Sequence, residues 1–366
     1  MTSPLRPVAV LRQCLREGRY AEVRDEIRDH QPDGLEYQKC LCDALAQLRD
    51  WGGAIGIASR FVGHDPYFSA LLVAKFCQNA GDFTASQGWL ERARTEEGET
   101  IGYLITASKA ALGLGDRSRA VALGQRVLEA KDQNLGRAIA VDPMRGGNAK
   151  ILSFSLFGTG EIYLFGALAN ARLWAKMAPD WTCRFYVTPD VPQGVTVALE
   201  KLGAEIVLHE SPKIPAYLAR FLPFQDPGVA RFACRDVDCR PTRREVEILR
   251  EWEQSAFDFH LIRNHPLHTD MVLAGLWGGV PLQGFDLAAD IAACFPNGAS
   301  NKYGLDQYYL ERRIWPRIKG NVLAFDAHYR LEGIETRPVE DPQLGGGHHD
   351  VETVRRELDG LGIRVS

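Results

Sequence analysis

Arg231-Phe-Ala-Cys-Arg-Asp-Val-Asp-Cys-Arg240 places two carboxylates, Asp236 and Asp238, one residue apart and directly after an apolar, strand-like segment. On a turn leaving a strand, an Asp-x-Asp pair can hold a hard divalent cation and leave positions open for phosphate oxygens. About one such pair is expected by chance in a chain of this length, so its setting decides its weight. Upstream, residues 150–157 form a short apolar run ending in Gly158-Thr-Gly160, and 162–177 are helix-like up to Pro179. Residues 183–187 have the pattern of a strand, 195–202 of a helix, 205–208 of a strand and 216–221 of a helical turn. Residues 229–234 are the strand that leads into the pair. This βαβαβ order predicts a mostly parallel sheet with helices on both faces. Ligands of such sheets bind beyond the carboxyl ends of the strands, where Asp236 and Asp238 lie.

Downstream, Thr242 and Glu245 form a T-x-x-E capping box, and Val246, Leu249 and Trp252 share one helical stripe. The aspartates are therefore expected on a turn pinned between a buried strand and a capped helix. That frame suits a metal site and equally a structural turn with two solvated carboxylates. The strand, Gly-x-Gly and helix around Gly158 outline a dinucleotide fingerprint. Tyr163 occupies its third glycine position, which argues against a Rossmann oxidoreductase.

A length of 366 residues predicts two domains, and 45% apolar with 25% charged residues is ordinary globular composition. A net charge of −4 argues against a dedicated nucleic-acid binder. Residues 1–10 lack the apolar core of a secretory signal. The most apolar window, 151–173, contains Glu161 and several glycines and is not expected to span a membrane. A cytoplasmic protein is expected, with any membrane association peripheral, at the inner membrane face. Cysteines 14, 40, 42, 77, 183, 234, 239 and 294 include no Cys-x-x-Cys pair, so free thiols are expected.

Within residues 1–140 a turn signature recurs as Gly18-Arg-Tyr20, Arg49-Asp-Trp51, Gly81-Asp-Phe83 and Gly115-Asp-Arg117, at steps of 31, 32 and 34 residues. Each of the last three follows a helix-forming stretch and precedes another. Ala54, Ala93 and Ala120 supply small residues where paired helices must approach closely. The period resembles tetratricopeptide repeats over about residues 8–131, with Val23, His30 and Arg117 departing from the usual pattern. Such repeats present a groove to a protein partner, or serve only to cap the next domain. Residues 131–147 break the periodicity, which divides the chain into a helical-repeat domain at 1–140 and an α/β domain at 148–366.

Over about residues 150–330, several blocks in order resemble a family of bacterial GT-A-type glycosyltransferases associated with surface glycans and polysaccharide biosynthesis. They are Leu152-Ser-Phe-Ser-Leu-Phe-Gly158, Asp180-Trp-Thr-Cys-Arg-Phe-Tyr186, Ala219-Arg-Phe-Leu222, Arg235-Asp-Val-Asp-Cys-Arg240, Arg244-Glu245 and Glu251-Trp252. Phe259-His-Leu-Ile-Arg-Asn-His-Pro266, Gly275-Leu-Trp-Gly-Gly279 and Asp306-Gln307 complete the set. Three positions depart from the family. Cys239 replaces a serine, Asn264 replaces an aspartate, and Phe325-Asp-Ala-His-Tyr329 only loosely matches a late His-Asp-Ser block.

The resemblance implies a GT-A-like α/β fold and transfer of a sugar from a nucleotide-sugar donor to a glycan, lipid-linked glycan or protein. Asp236 would approach the donor and, with Asp238, hold Mn²⁺ or Mg²⁺. His328, or alternatively Asp326, would be the late metal ligand. Ser155 would border the nucleotide, Arg220 would face the donor, and Gly275 to Gly279 with Trp277 and Gly278 would form the floor of the sugar site. His265 is a donor or acceptor contact, or a surface histidine. Asp306 is the candidate catalytic base for an inverting reaction, or simply the N-cap of its helix. The alternative reading is a degenerate transferase fold that acts as a scaffold through its repeats. The loop Gly345-Gly-Gly-His-His-Asp350 is assigned no metal.

Overall fold

The computed structural model describes residues 4–32, 34–296, 298, 304–339, 349–360 and 362, so Tyr303 and most of the 345–350 loop lie outside the described residues. It comprises two compact units, Met1–Ala130 and Lys131–Ser366. The first is helical and the second is built on a mixed α/β sheet.

In the first unit, helices pair as hairpins: α1 (Val8–Arg16) with α2 (Tyr20–His30), and α3 (Leu35–Gln47) with α4 (Trp51–Ala58). They continue with α5 (Pro66–Asn79) and α6 (Phe83–Glu97), then α7 (Ile101–Gly113) and α8 (Arg117–Leu135). The recurring turn has a physical basis. Its first residue takes a positive φ, at Gly18, Arg49, Gly81 and Gly115. In the last three turns the following aspartate caps the next helix: Asp50 accepts from Gly53 N, Asp82 from Ala85 N and Asp116 from Arg119 N. Ala54, Ala93 and Ala120 are fully buried, as close helix packing requires. Val23 fills a buried position in the first hairpin.

Arg49 holds at φ 58° a conformation that the other turns give to glycine. Arg49→Gly is therefore expected to stabilise the unit by roughly 0.5–1 kcal/mol, since relief of the left-handed strain exceeds the added chain entropy. A higher urea midpoint with an unchanged slope would show it; a lower midpoint would refute it.

In the second unit, eight strands form one sheet: β1 (Ala149–Leu156), β2 (Thr182–Val187), β3 (Glu205–Leu208), β4 (Val229–Cys234), β5 (Phe259–Arg263), β6 (Trp277–Gly279), β7 (Val322–Asp326) and β8 (Glu335–Arg337). Their order is β3-β2-β1-β4-β6-β5-β7-β8. All pairings are parallel except those of β6, which runs against both β4 and β5. Two reversals restore the direction, so the carboxyl ends of β1, β4, β5 and β7 share one edge. The strand order reverses between β1 and β4, the kind of position at which sheets of this type bind ligands.

One face packs under α9 (Glu161–Met177), α10 (Gln193–Lys201), α11 (Arg243–Glu253) and α15 (Val351–Gly360), around Phe154, Trp174, Phe185, Leu249 and Trp252. The capping box expected of Thr242 and Glu245 is present at the start of α11. The other face carries a 3₁₀ segment (Ala216–Gln225) and α12 (Leu287–Cys294). It also carries a helical stretch of α13 (Leu305–Tyr309), a π turn (Leu310–Ile314) and α14 (Trp315–Ile318). Asp290 of α12 accepts from Tyr309 Oη at 2.9 Å and from Arg317 Nη2 at 2.9 Å, and also pairs with Arg313. These bonds fix the helical stretch that carries Asp306.

Lys131 and Asp132, late in α8, bond within the second unit: Lys131 Nζ to Asp270 at 2.8 Å and Glu311 at 2.7 Å, Asp132 to Lys319 at 2.6 Å. The second unit thus begins inside a helix, ahead of the polar segment where the periodicity ends. No described helix is long and apolar enough to cross a membrane. None of the eight cysteines is in a disulfide; burial pushes the Cys183 and Cys234 thiols up to about 12, which makes them inert.

Candidate active site

Strand alternation and register select which side chains meet at the shared edge. Pairing Ser153 with Cys234 and Cys234 with Trp277 puts Ser153, Ser155, Cys234 and Asp236 on one face. The register Arg263 with Asp326 adds those two to the same edge. The 3₁₀ segment crosses this face and contributes Arg220. Ser155 Oγ accepts from Arg220 N at 2.9 Å, and Ser153 Oγ donates to Arg220 O at 2.6 Å. Ser155 is buried and anchors Arg220.

The Arg220 guanidinium bridges two carboxylates far apart in sequence. Nη1 pairs with Asp236, and Nη2 lies 2.9 Å from Asp306 Oδ2. Burial disfavours its charge, yet Asp236 and Asp306 outweigh that penalty and raise its pKa above the ordinary value. Asp236 rests on the bare face of Gly275, where an added Cβ would lie 2.1 Å from Asp236 Oδ2. Asp306 stands inside the first turn of α13, whose N-cap is Gly304, so the capping role is excluded. Burial, then the nearby Asp306, pushes the Tyr217 hydroxyl up to about 12.

Asp236 to Cys239 is a tight turn closed by Cys239 N on Asp236 O at 3.3 Å. Asp238 and Cys239 are half-buried on it. Burial, with Asp236 and Asp238 adding to it, pushes the Cys239 thiol up to about 12, so it is no nucleophile. Beneath the turn, Arg235 pairs with Glu245 at 3.0 Å, both buried.

Trp277 and Gly278, expected to form the sugar floor, lie inside the protein. Trp277 is fully buried among Phe221, Phe224 and Phe232, with ring centroids 5.4–5.8 Å away. A Cβ on Gly278 would meet Phe232 O at 2.2 Å and His260 Cε1 at 2.6 Å. The cause is β6, which threads this segment between β4 and β5 and makes it core.

Asp326 is likewise structural. Its Oδ2 accepts from Arg263 Nε at 2.6 Å, and its Oδ1 from His328 N at 2.8 Å and Tyr329 N at 2.7 Å. Both oxygens are engaged, and the carboxylate shapes the turn that presents His328. His265 is exposed on the loop after β5, its Nδ1 accepting from Leu267 N at 3.1 Å. Among the described residues, no three His, Cys, Asp or Glu side chains form a ready metal cluster. Asp236, Asp238 and His328 are thus not gathered into one. The chemistry of a hard cation still fits here, because Mg²⁺-type sites use one or two carboxylates plus substrate phosphates.

His268 packs in the same loop. Burial, then His265, pushes its pKa from 6.5 down to about 4, while Asp270 and Asp326 oppose the shift. Its neutral form belongs to the folded state, so its contribution is complete above pH 6.5 and lost as pH falls towards 4. His268→Gln is expected to remove roughly 1–2 kcal/mol of acid-side pH dependence, after discounting for partial exposure. Urea midpoints at pH 7 and pH 5 measure it; equal pH dependence in both proteins would refute it.

No protein-family model matches the chain, and no curated protein does. Among solved structures, it aligns with a mutant of Thermobaculum terrenum O-GlcNAc transferase at 12% identity and a TM-score of 0.39, covering 87% of this chain and 49% of that one. The chain spans about half the length of that protein.

The sequence pattern did not single out Gly166 and Asn170 of α9 or the Arg263–Asp326 pair. A polar asparagine within the apolar run Leu164 to Ala171 was the available signal for the first. Nothing local marks the second.

Proposed function

We propose that the second unit is a metal-dependent GT-A-type glycosyltransferase domain acting on a nucleotide-sugar donor. The observation that carries this is the Asp236-Val-Asp238 turn at the carboxyl end of β4, beside the strand-order reversal, with Asp306 joined to Asp236 through Arg220. A mostly parallel sheet with the pair at such an end supports the GT-A resemblance.

Charge supports the metal. Arg220 faces two carboxylates, Asp236 and Asp306, so these three groups together are net negative. A nucleoside diphosphate would be repelled there unless a divalent cation entered with it. Asp238 would hold Mn²⁺ or Mg²⁺, with His328 the further candidate and Asp236 committed to Arg220. When bound, the metal would act as a Lewis acid towards the leaving diphosphate. Arg220 bonds both Asp236 and Asp306, and in an inverting reaction Asp306 would take the proton from the acceptor hydroxyl. The acceptor would be a glycan, lipid-linked glycan or protein, and the helical repeats are in keeping with a protein acceptor or assembly partner. The test is thermal stability across a panel of nucleoside diphosphates and nucleotide sugars, with and without Mn²⁺. Stabilisation that requires both supports the proposal. None from any nucleotide would overturn it in favour of a scaffold.

A further inference from the structure

We infer that Gly166 and Asn170, one turn apart on α9, are the positioning residues of the Asp238 turn. The inference deepens the proposed function. Asn170 is buried, and its amide donates to Val237 O at 2.8 Å and Cys239 O at 3.1 Å, the carbonyls on either side of Asp238. The same nitrogen donates to Gly166 O at 3.0 Å, within its own helix. Three carbonyl acceptors around one group identify it as the NH₂ and not the amide oxygen.

Gly166 brings the turn within this reach. A Cβ there would lie 2.3 Å from Val237 O and 3.1 Å from Asp238 Cα, so only glycine lets α9 touch the turn backbone. Within the turn, Cys239 N donates to Asp236 O at a long 3.3 Å. The carbonyls on either side of Asp238 are tied to α9 through Asn170. A carboxylate that must meet a cation within a few tenths of an ångström needs its backbone fixed, and groups that orient a ligand typically matter by 10–100-fold in affinity.

The test uses the full chain and two independent readouts. The first is hydrogen exchange of residues 236–240, which requires no ligand. The second is the affinity for Mn²⁺ with the nucleoside diphosphate that stabilises the wild-type protein. Asn170→Ala is expected to speed exchange of the turn by about 10-fold or more, with little change elsewhere, and to weaken Mn²⁺–nucleotide binding by about 10–100-fold. Asn170→Ser, which keeps one donor, serves if the alanine variant does not fold.

Asn170→Asp separates positioning from bulk. A carboxylate would repel the three carbonyls, whereas its neutral acid donates one hydrogen bond. Its binding deficit relative to wild type is expected to shrink as pH falls from 7 to 5. Unchanged exchange in the turn would overturn the inference, as would faster exchange with undiminished binding. If the wild-type protein binds no nucleotide, the proposed function fails, while the exchange result still decides whether Asn170 holds the turn.

Discussion

Asp238→Ala is expected to abolish metal-dependent stabilisation by the preferred nucleotide. At a ligand concentration about 100-fold above Kd, linkage gives about 2.7 kcal/mol, which for a unit of this size raises Tm by roughly 5–10 °C. Loss of a ligating carboxylate should cost about 100-fold or more in affinity and erase that shift at the same concentration. The unliganded variant should melt close to wild type, because Asp238 is half-buried on a turn whose carbonyls are held by Asn170. This separates lost binding from lost folding. Equal stabilisation of both proteins would remove Asp238 from the metal site. Stabilisation of both without any metal would remove the metal as well.

The second large effect is expected at Asp326, for a different reason. Asp326→Ala leaves Arg263 buried without its counter-ion and frees two backbone N–H groups, those of His328 and Tyr329. Breaking one half of a buried pair costs about 3–5 kcal/mol, because the remaining charge has no compensation. For the second unit this corresponds to a Tm lowered by roughly 10 °C or more. Asp326→Asn should rescue little, because an amide can accept from the two N–H groups only by turning its NH₂ towards Arg263 Nε. The double variant Arg263→Met with Asp326→Leu should recover part of the loss, since it removes both charges. A single Asp326 variant with near-wild-type Tm but no metal response would reverse the assignment and make Asp326 a ligand.

The local elements were legible because local forces set them. Alternating apolar runs marked β1, β2, β3 and β4 within a residue or two, and the T-x-x-E box placed the start of α11. The turn period in the first unit was equally readable. Its physical content is a left-handed residue followed by an N-cap aspartate, and both act within a few residues. Arg220 and Asp306 were named from the resemblance and meet in the structure, joined across 86 residues by one guanidinium.

Residue order alone thus determined the repeat hairpins, the strands β1 to β4, the start of α11, where the Asp-x-Asp turn falls, and that a helical repeat precedes an α/β unit. The tertiary structure decided which side chains face one another. Gly275 to Gly279 carries the glycines expected of a sugar floor, and only its insertion as antiparallel β6 turned Trp277 and Gly278 into core. Asp326 became a buried counter-ion because β5 and β7 pair in the register that sets it beside Arg263. Asn170 became a clamp because α9 crosses the turn at a glycine. Pairing register is a long-range property: shifting it by one residue would exchange the two faces of a strand without altering any local preference.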